Sequence, residues 1–318
     1  MAGWRFGVPY AALLVFSRLC QARYAVCPSE SNIRPCSCAR TALGVRVWCS
    51  RIGNEHTLRT IVAYLSSYKL NALSLEHINF TLTPDLFDRL DVVTVKVMQS
   101  DFRIKNPIAE LHASGASSRI EALNVRQSTL DLGDSSLAIL RGLRHIEVIN
   151  SYIVVLKRRW FSGLGRLSQL EIENTKMKSL EDRALAGLSE VQRIVLRANE
   201  LKALRRSYFP EVAARLAHLD FSDNELTSLP ADMFNNMPVL ESVTLSRNKF
   251  KTLLPEPWKP MLGQLRLVTL DDNPIDCNGT ISWMLQSNAR HKVSGTCAAP
   301  PNLVGTRISD LDDSRLRR

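Results

Sequence analysis

Glu147 and Glu171 stand 24 residues apart. Two carboxylates held about 5 Å apart can serve as nucleophile and general acid in retaining glycoside hydrolysis. A structure that repeats every 24 residues would set these two side by side. His145 and His218 are the imidazoles from which a metal site could be built. Cysteines form a third set. Cys27, Cys36, Cys38 and Cys49 crowd one end, Cys277 and Cys297 the other, and the 227 residues between Cys49 and Cys277 contain none. Clustered cysteines can pair or bind zinc. Which of these chemistries is open depends on the elements that hold the residues.

The apolar spacing identifies those elements. Leu216, Leu219, Phe221, Leu226, Leu229 and Phe234 follow neither the two-residue beat of a long strand nor the 3.6-residue beat of a helix. The pattern recurs. Leu240, Val243, Leu245, Asn248, Phe250 and Leu253 copy it, as do Val191, Ile194, Leu196, Asn199, Leu201 and Leu204. Nine starts, at 70, 92, 120, 143, 167, 191, 216, 240 and 265, are spaced 22 to 28 residues apart. Positions 1, 4, 6 and 11 of each unit are apolar, joined by position 14 in the units from 143 to 240. One unit cannot bury that face alone, so the units must stack. The ninth position holds Ser100, Ser128, Ser151, Thr175, Asn199, Asn224, Asn248 and Asn273; Ile78 in the first unit is the exception. A small polar side chain there can bond backbone groups left unpaired where the chain leaves the strand.

The motif L-x-x-L-x-L-x-x-N-x-L-x-x-L resembles the leucine-rich repeat, over roughly residues 65 to 285. The resemblance implies an α/β solenoid: a right-handed horseshoe of about nine repeats with a parallel β-sheet on its concave face and a disulfide cap at each end. Cys27-x8-Cys36-x-Cys38-x10-Cys49 resembles the N-terminal flank of extracellular members, which implies pairs Cys27–Cys38 and Cys36–Cys49; spacing alone allows three connectivities. The stretch 273–285, with Trp283 and Leu285 in a short capping helix, resembles a C-terminal flank. Two of its usual four cysteines are missing, so Cys277 and Cys297 are expected to bond to each other. Secretion and the absence of nearby histidines argue against zinc. The plan also resembles a group of arthropod secreted leucine-rich repeat proteins, among them the non-catalytic subunit of a shrimp luciferase. That likeness implies an accessory role and no luciferase activity.

Stacked strands lie roughly 4.8 Å apart, so each exposed strand position becomes a column of side chains. The third includes His145, Arg193 and His218; the fifth Glu147, Glu171 and Asp220; the seventh Arg126, Glu173 and Arg197. Glu147 and Glu171 then sit on an open sheet among arginines, which reads as a mixed-charge binding surface and not as a water-excluding active site. His145 and His218 are three repeats apart, roughly 14 Å, too far for one metal. No G-x-S-x-G, H-E-x-x-H or phosphate-loop motif is present. The chain therefore reads as a non-enzyme with no cofactor and no metal. Its concave candidates are His145, Glu147, Glu171, Glu173, Arg193, Arg197 and Asp220.

Residues 1–22 read as a signal peptide, with Arg5 before the apolar run 6–16 and cleavage after Ala22, which would also remove Cys20. The remaining divisions are an N-terminal cap at 23–64, repeats at 65–272, and a C-terminal cap and tail at 273–318. No stretch is apolar enough to span a membrane, so a secreted, extracellular protein is expected. Asn79 and Asn278 head glycosylation sequons. The formal net charge is +10. Basic clusters at 157–159, 205–206 and 315–318 raise a second reading, a matrix component that binds sulfated glycosaminoglycan, although Glu181 and Asp182 interrupt the strip. The first reading is an extracellular or cell-surface protein partner; nucleic acid is not expected.

Overall fold

The computed structural model describes residues 26–80, 84–87, 90–103, 119–261, 263–278, 281–286 and 289–312. The expected leader and the 315–318 cluster lie outside them. The chain runs through α1 (Glu30–Ile33), the hairpin β1 (Cys36–Thr41) and β2 (Gly44–Ser50), and α2 (Glu55–Leu65). Then follow β3 (Lys69–Glu76), β4 (Asp91–Met98), β5 (Asp101–Arg103), β6 (Ala122–Arg126), β7 (Thr129–Asp131), β8 (His145–Ile149) and β9 (Val155–Leu156). The second half holds β10 (Gln169–Glu173), β11 (Ser179–Leu180), β12 (Arg193–Val195), β13 (His218–Asp220), β14 (Ser242–Thr244) and β15 (Leu267–Thr269). β16 (Ile275–Asp276), α3 (Ser282–Gln286), β17 (Val293–Ser294) and β18 (Cys297–Ala299) close the chain.

One sheet of twelve strands, ordered β1-β2-β3-β4-β6-β8-β10-β12-β13-β14-β15-β17, runs the length of the molecule. Only β1 and β2 pair antiparallel; every later neighbour is parallel. The register keeps the repeat's numbering. Leu123, Ile146, Leu170, Ile194, Leu219, Val243 and Val268, all at position 4, lie opposite one another along the stack and are buried. Strand pairs β5–β7 and β9–β11 add narrow parallel sheets where the chain returns.

The ninth position ties consecutive repeats together. Asn248 Oδ1 accepts the backbone N–H of Leu226 in the preceding repeat, while its Nδ2 donates to the carbonyls of Phe221 and Leu245. Asn224 and Asn273 repeat the arrangement on Leu201 and Phe250. Ser100, Ser128 and Ser151 do less: each hydroxyl accepts one N–H from the preceding repeat and donates to the carbonyl two residues back. Ile78 makes no such bond with its side chain and is buried as core.

The residue just before it, position 8, takes a left-handed backbone in all nine repeats: His77, Gln99, Gln127, Asn150, Asn174, Ala198, Asp223, Arg247 and Asp272 have φ between 47° and 58°. This conformation turns the chain off the strand while letting its N–H reach a carbonyl of the next repeat, as in Gln99 to Arg126 and Asn150 to Glu173. Asn and Asp tolerate it well; Ala and Arg do so at a cost.

The ends are covered. Cys27 is bonded to Cys38, Cys36 to Cys49 and Cys277 to Cys297. In α2 the side chain of Asn54 accepts the N–H of Thr57 at 2.9 Å. Leu58, Ile61, Val62 and Leu65 form the buried face of that helix. At the far end Trp283 of α3 donates to the Leu253 carbonyl at 2.8 Å.

Candidate functional site

The large sheet turns the third, fifth and seventh residues of each repeat away from the core, although Ala72, Val195, Ser222 and Ser246 among them are covered by their neighbours. In the third column His145, Gln169, Arg193 and His218 follow in register; in the fifth, Glu147, Glu171, Val195 and Asp220. Cross-repeat contacts knit them. Arg126 Nε donates to Glu147 at 2.6 Å, Arg197 Nη2 to Glu173 at 2.7 Å, and Arg193 Nε stands 3.7 Å from Glu171. The hydrogen bond to Glu147 raises the Arg126 pKa above its ordinary value. His145 Nδ1 shares a hydrogen bond with Gln169 Oε1 at 3.0 Å. Asp220 instead serves its own turn, accepting from the N–H and hydroxyl of Ser222.

The structure keeps the two histidines apart and groups one of them with carboxylates. β10 and β12 separate His145 from His218. The ligand atoms of His145, Glu147 and Glu171, by contrast, all lie within 4.8 Å of one another, a triad that considering the histidines as a pair overlooks. Both carboxylates already face guanidinium groups, and a cation would have to displace Arg126 and Arg193. The same arginines bear on hydrolysis. A retaining mechanism needs both carboxyls free to face the sugar, whereas Glu147 already accepts from Arg126.

Sequence reasoning missed two apolar anchors on this face. Trp48 of β2 lies opposite Ser74 in the fifth column and opposite Ser37 across the hairpin, and it is 41% exposed. Leu267, in the third column of β15, is 46% exposed. The alternation Val45, Val47, Cys49 inward carries the signal for Trp48, since residues between them must face out.

The basic clusters are less available than their charge implies. Arg206 donates to the carbonyls of Asn235, Pro210 and Glu211, and burial lowers its pKa. Lys157 lies 3.7 Å from Asp134, and Glu181 accepts the backbone N–H of Arg158. Asn79 and Asn278 are both exposed.

A sheet of stacked parallel strands, one per 22- to 28-residue unit, with a polar ladder at position 9, is the architecture of a leucine-rich repeat solenoid. The family model for the leucine rich repeat matches residues 141–201, 189–250 and 214–275. Among individual proteins, the chain is 25% identical over 263 residues to the CD180 antigen of Mus musculus, covering 79% of this chain and 34% of that one. It is 31% identical to the human chondroadherin-like protein over 105 residues, 31% of this chain and 13% of that one. Mouse trophoblast glycoprotein shares 30% over 130 residues, 39% of this chain and 30% of that one. The chain thus matches about a third or less of the length of each. These relatives are mammalian and lend no support to the arthropod likeness.

Proposed function

We propose that the protein is a secreted recognition or scaffolding subunit that binds another extracellular or cell-surface protein through its concave sheet. The observation that carries this reading is the strip of alternating charge across β6 to β12, with Glu147, Glu171 and Glu173 held by Arg126, Arg193 and Arg197. Charge complementarity to such a strip sets specificity and association rate. Trp48 and Leu267 add apolar anchors toward its two ends, and exposed aromatic residues commonly carry binding energy. The glycosaminoglycan reading is the lesser proposal, because Arg206 and Lys157 already have partners. Retention on heparin beyond that on a cation exchanger of equal charge would revive it.

The test exchanges the charges of one internal pair. Glu173→Arg with Arg197→Glu keeps an ion pair in place but inverts the pattern the sheet presents. Affinity capture from the extracellular medium or cell surface should recover a specific partner with the parent and lose it with the double variant, at unchanged thermal stability. Identical recovery by both chains would move the site off the sheet.

A further inference from the structure

A groove of about 960 Å³ runs along the edge of the large sheet in the first half of the solenoid. Its floor is the ninth position: Ile78, Ser100, Ser128 and Ser151. One wall is the left-handed eighth position, with His77, Gln99, Gln127, Asn150 and Asn174; the other is the tenth, with Asn79, Thr129, Tyr152 and Lys176. The hydroxyls on the floor are spent on backbone groups. The wall side chains are not. Gln99, Gln127, Asn150 and Asn174 point four amides outward at successive strand steps, and only Asn150 and Asn174 bond each other, at 2.8 Å.

The same strip in the second half has another character. There Arg247 forks onto Asp223 in the eighth column and Lys249 meets Glu225 in the tenth. Among the described residues lining the groove, only His77 and Lys176 can carry charge. A ligand for this wall is neutral and rich in both donors and acceptors, which is what amide side chains complement. Tyr152, 54% exposed, offers a ring face beside them. Amides at a pitch of roughly 4.8 Å match the step of an extended chain of pyranoses better than that of an extended peptide, whose residues advance roughly 3.3 Å. Asn79, the asparagine of an N-F-T sequon, is itself part of the lining and stands at one end. From there to Asn174 is four strand steps, roughly 19 Å.

We propose that this groove is a saccharide-binding site, and that its occupant is the N-glycan carried by Asn79, with the acetamido and hydroxyl groups of its stem lying along Gln99, Gln127 and Asn150 and one sugar face on Tyr152. The inference rests on the secretory route proposed above and not on the concave-face reading, so either can fail alone. Secretion of the full chain from cells with intact glycan processing, followed by glycopeptide mass spectrometry, tests it. Asn79 is then occupied and retains oligomannose, while Asn278 carries processed glycan. Enzymatic release from native protein is roughly tenfold slower at Asn79 than after denaturation, the effect of about 1.4 kcal/mol of seating energy. Gln127→Ala with Asn150→Ala and Tyr152→Ala, all exposed side chains, abolishes the delay and lets processing proceed; Tyr152→Ala alone shortens it. With Asn79→Gln, the vacated groove binds added chitotriose, which the glycosylated parent does not. An unoccupied Asn79, or equal release from parent and variants, would overturn the proposal. Chitotriose bound equally by parent and Asn79→Gln would overturn the assignment of the occupant.

Discussion

Residues at the ninth position decide how firmly one repeat holds the next. Asn248 is buried and spans two repeats with bonds from both ends of its amide. Asn248→Ala leaves the buried Leu226 N–H without its acceptor and the Phe221 and Leu245 carbonyls with one side-chain donor each instead of two, and should cost on the order of 1–3 kcal/mol in denaturant unfolding. Ser128→Ala, which loses one acceptor and one donor, should cost about half as much. Ala198 sits at φ 54° in the eighth column. Ala198→Gly relieves the left-handed strain and should raise stability by roughly 0.5–1 kcal/mol, read as a higher melting temperature. Asp223 supplies a pH dependence. The hydrogen bond from Arg247 holds its carboxyl below the ordinary carboxylate range. A folded-state pKa lowered in this way stabilises above the unfolded value, and the contribution disappears as pH falls through the folded value. The pair is partly exposed, so the stake is only about 0.2–1 kcal/mol. Parent and Asp223→Asn should therefore differ slightly in melting temperature near neutral pH and converge in acid.

Elements show where sequence reading succeeds and where it stops. The strands were legible because positions 1, 4 and 6 stay apolar in every repeat, so the spacing of Leu170, Ile194 and Leu219 alone announces their register. The ninth position was legible for a chemical reason: Asn, Ser and Thr can satisfy a bent backbone. The eighth was not. His77, Ala198 and Arg247 share a backbone conformation without sharing a side-chain chemistry, because φ there is dictated by the turn of the stack. The groove was hidden for the same reason, since that column is one of its walls. Arg206 looked like free charge, yet its partners are backbone carbonyls, which sequence does not display. α2 is a local device and easily tested. Asn54→Ala removes the acceptor for the Thr57 N–H and should cost about 1 kcal/mol, visible as lost helical signal and earlier exposure of the N-terminal cap.

At the scale of the whole molecule, stability is built from neighbour contacts, while the proposed recognition draws on the surface that all repeats share. The core columns cannot vary without opening the stack; the exposed columns can. The concave face accordingly combines mixed charge in the middle with Trp48 and Leu267 toward the ends, and the second half of the edge strip is charged where the first is neutral. Hydroxyl-radical footprinting of the protein bound to its captured partner tests the account most directly. It predicts protection of Trp48, Met98, His145 and His218 on the sheet, with Val212 and Leu254 labelled as in the free protein. Protection of Val212 and Leu254 with the sheet residues unchanged would contradict it.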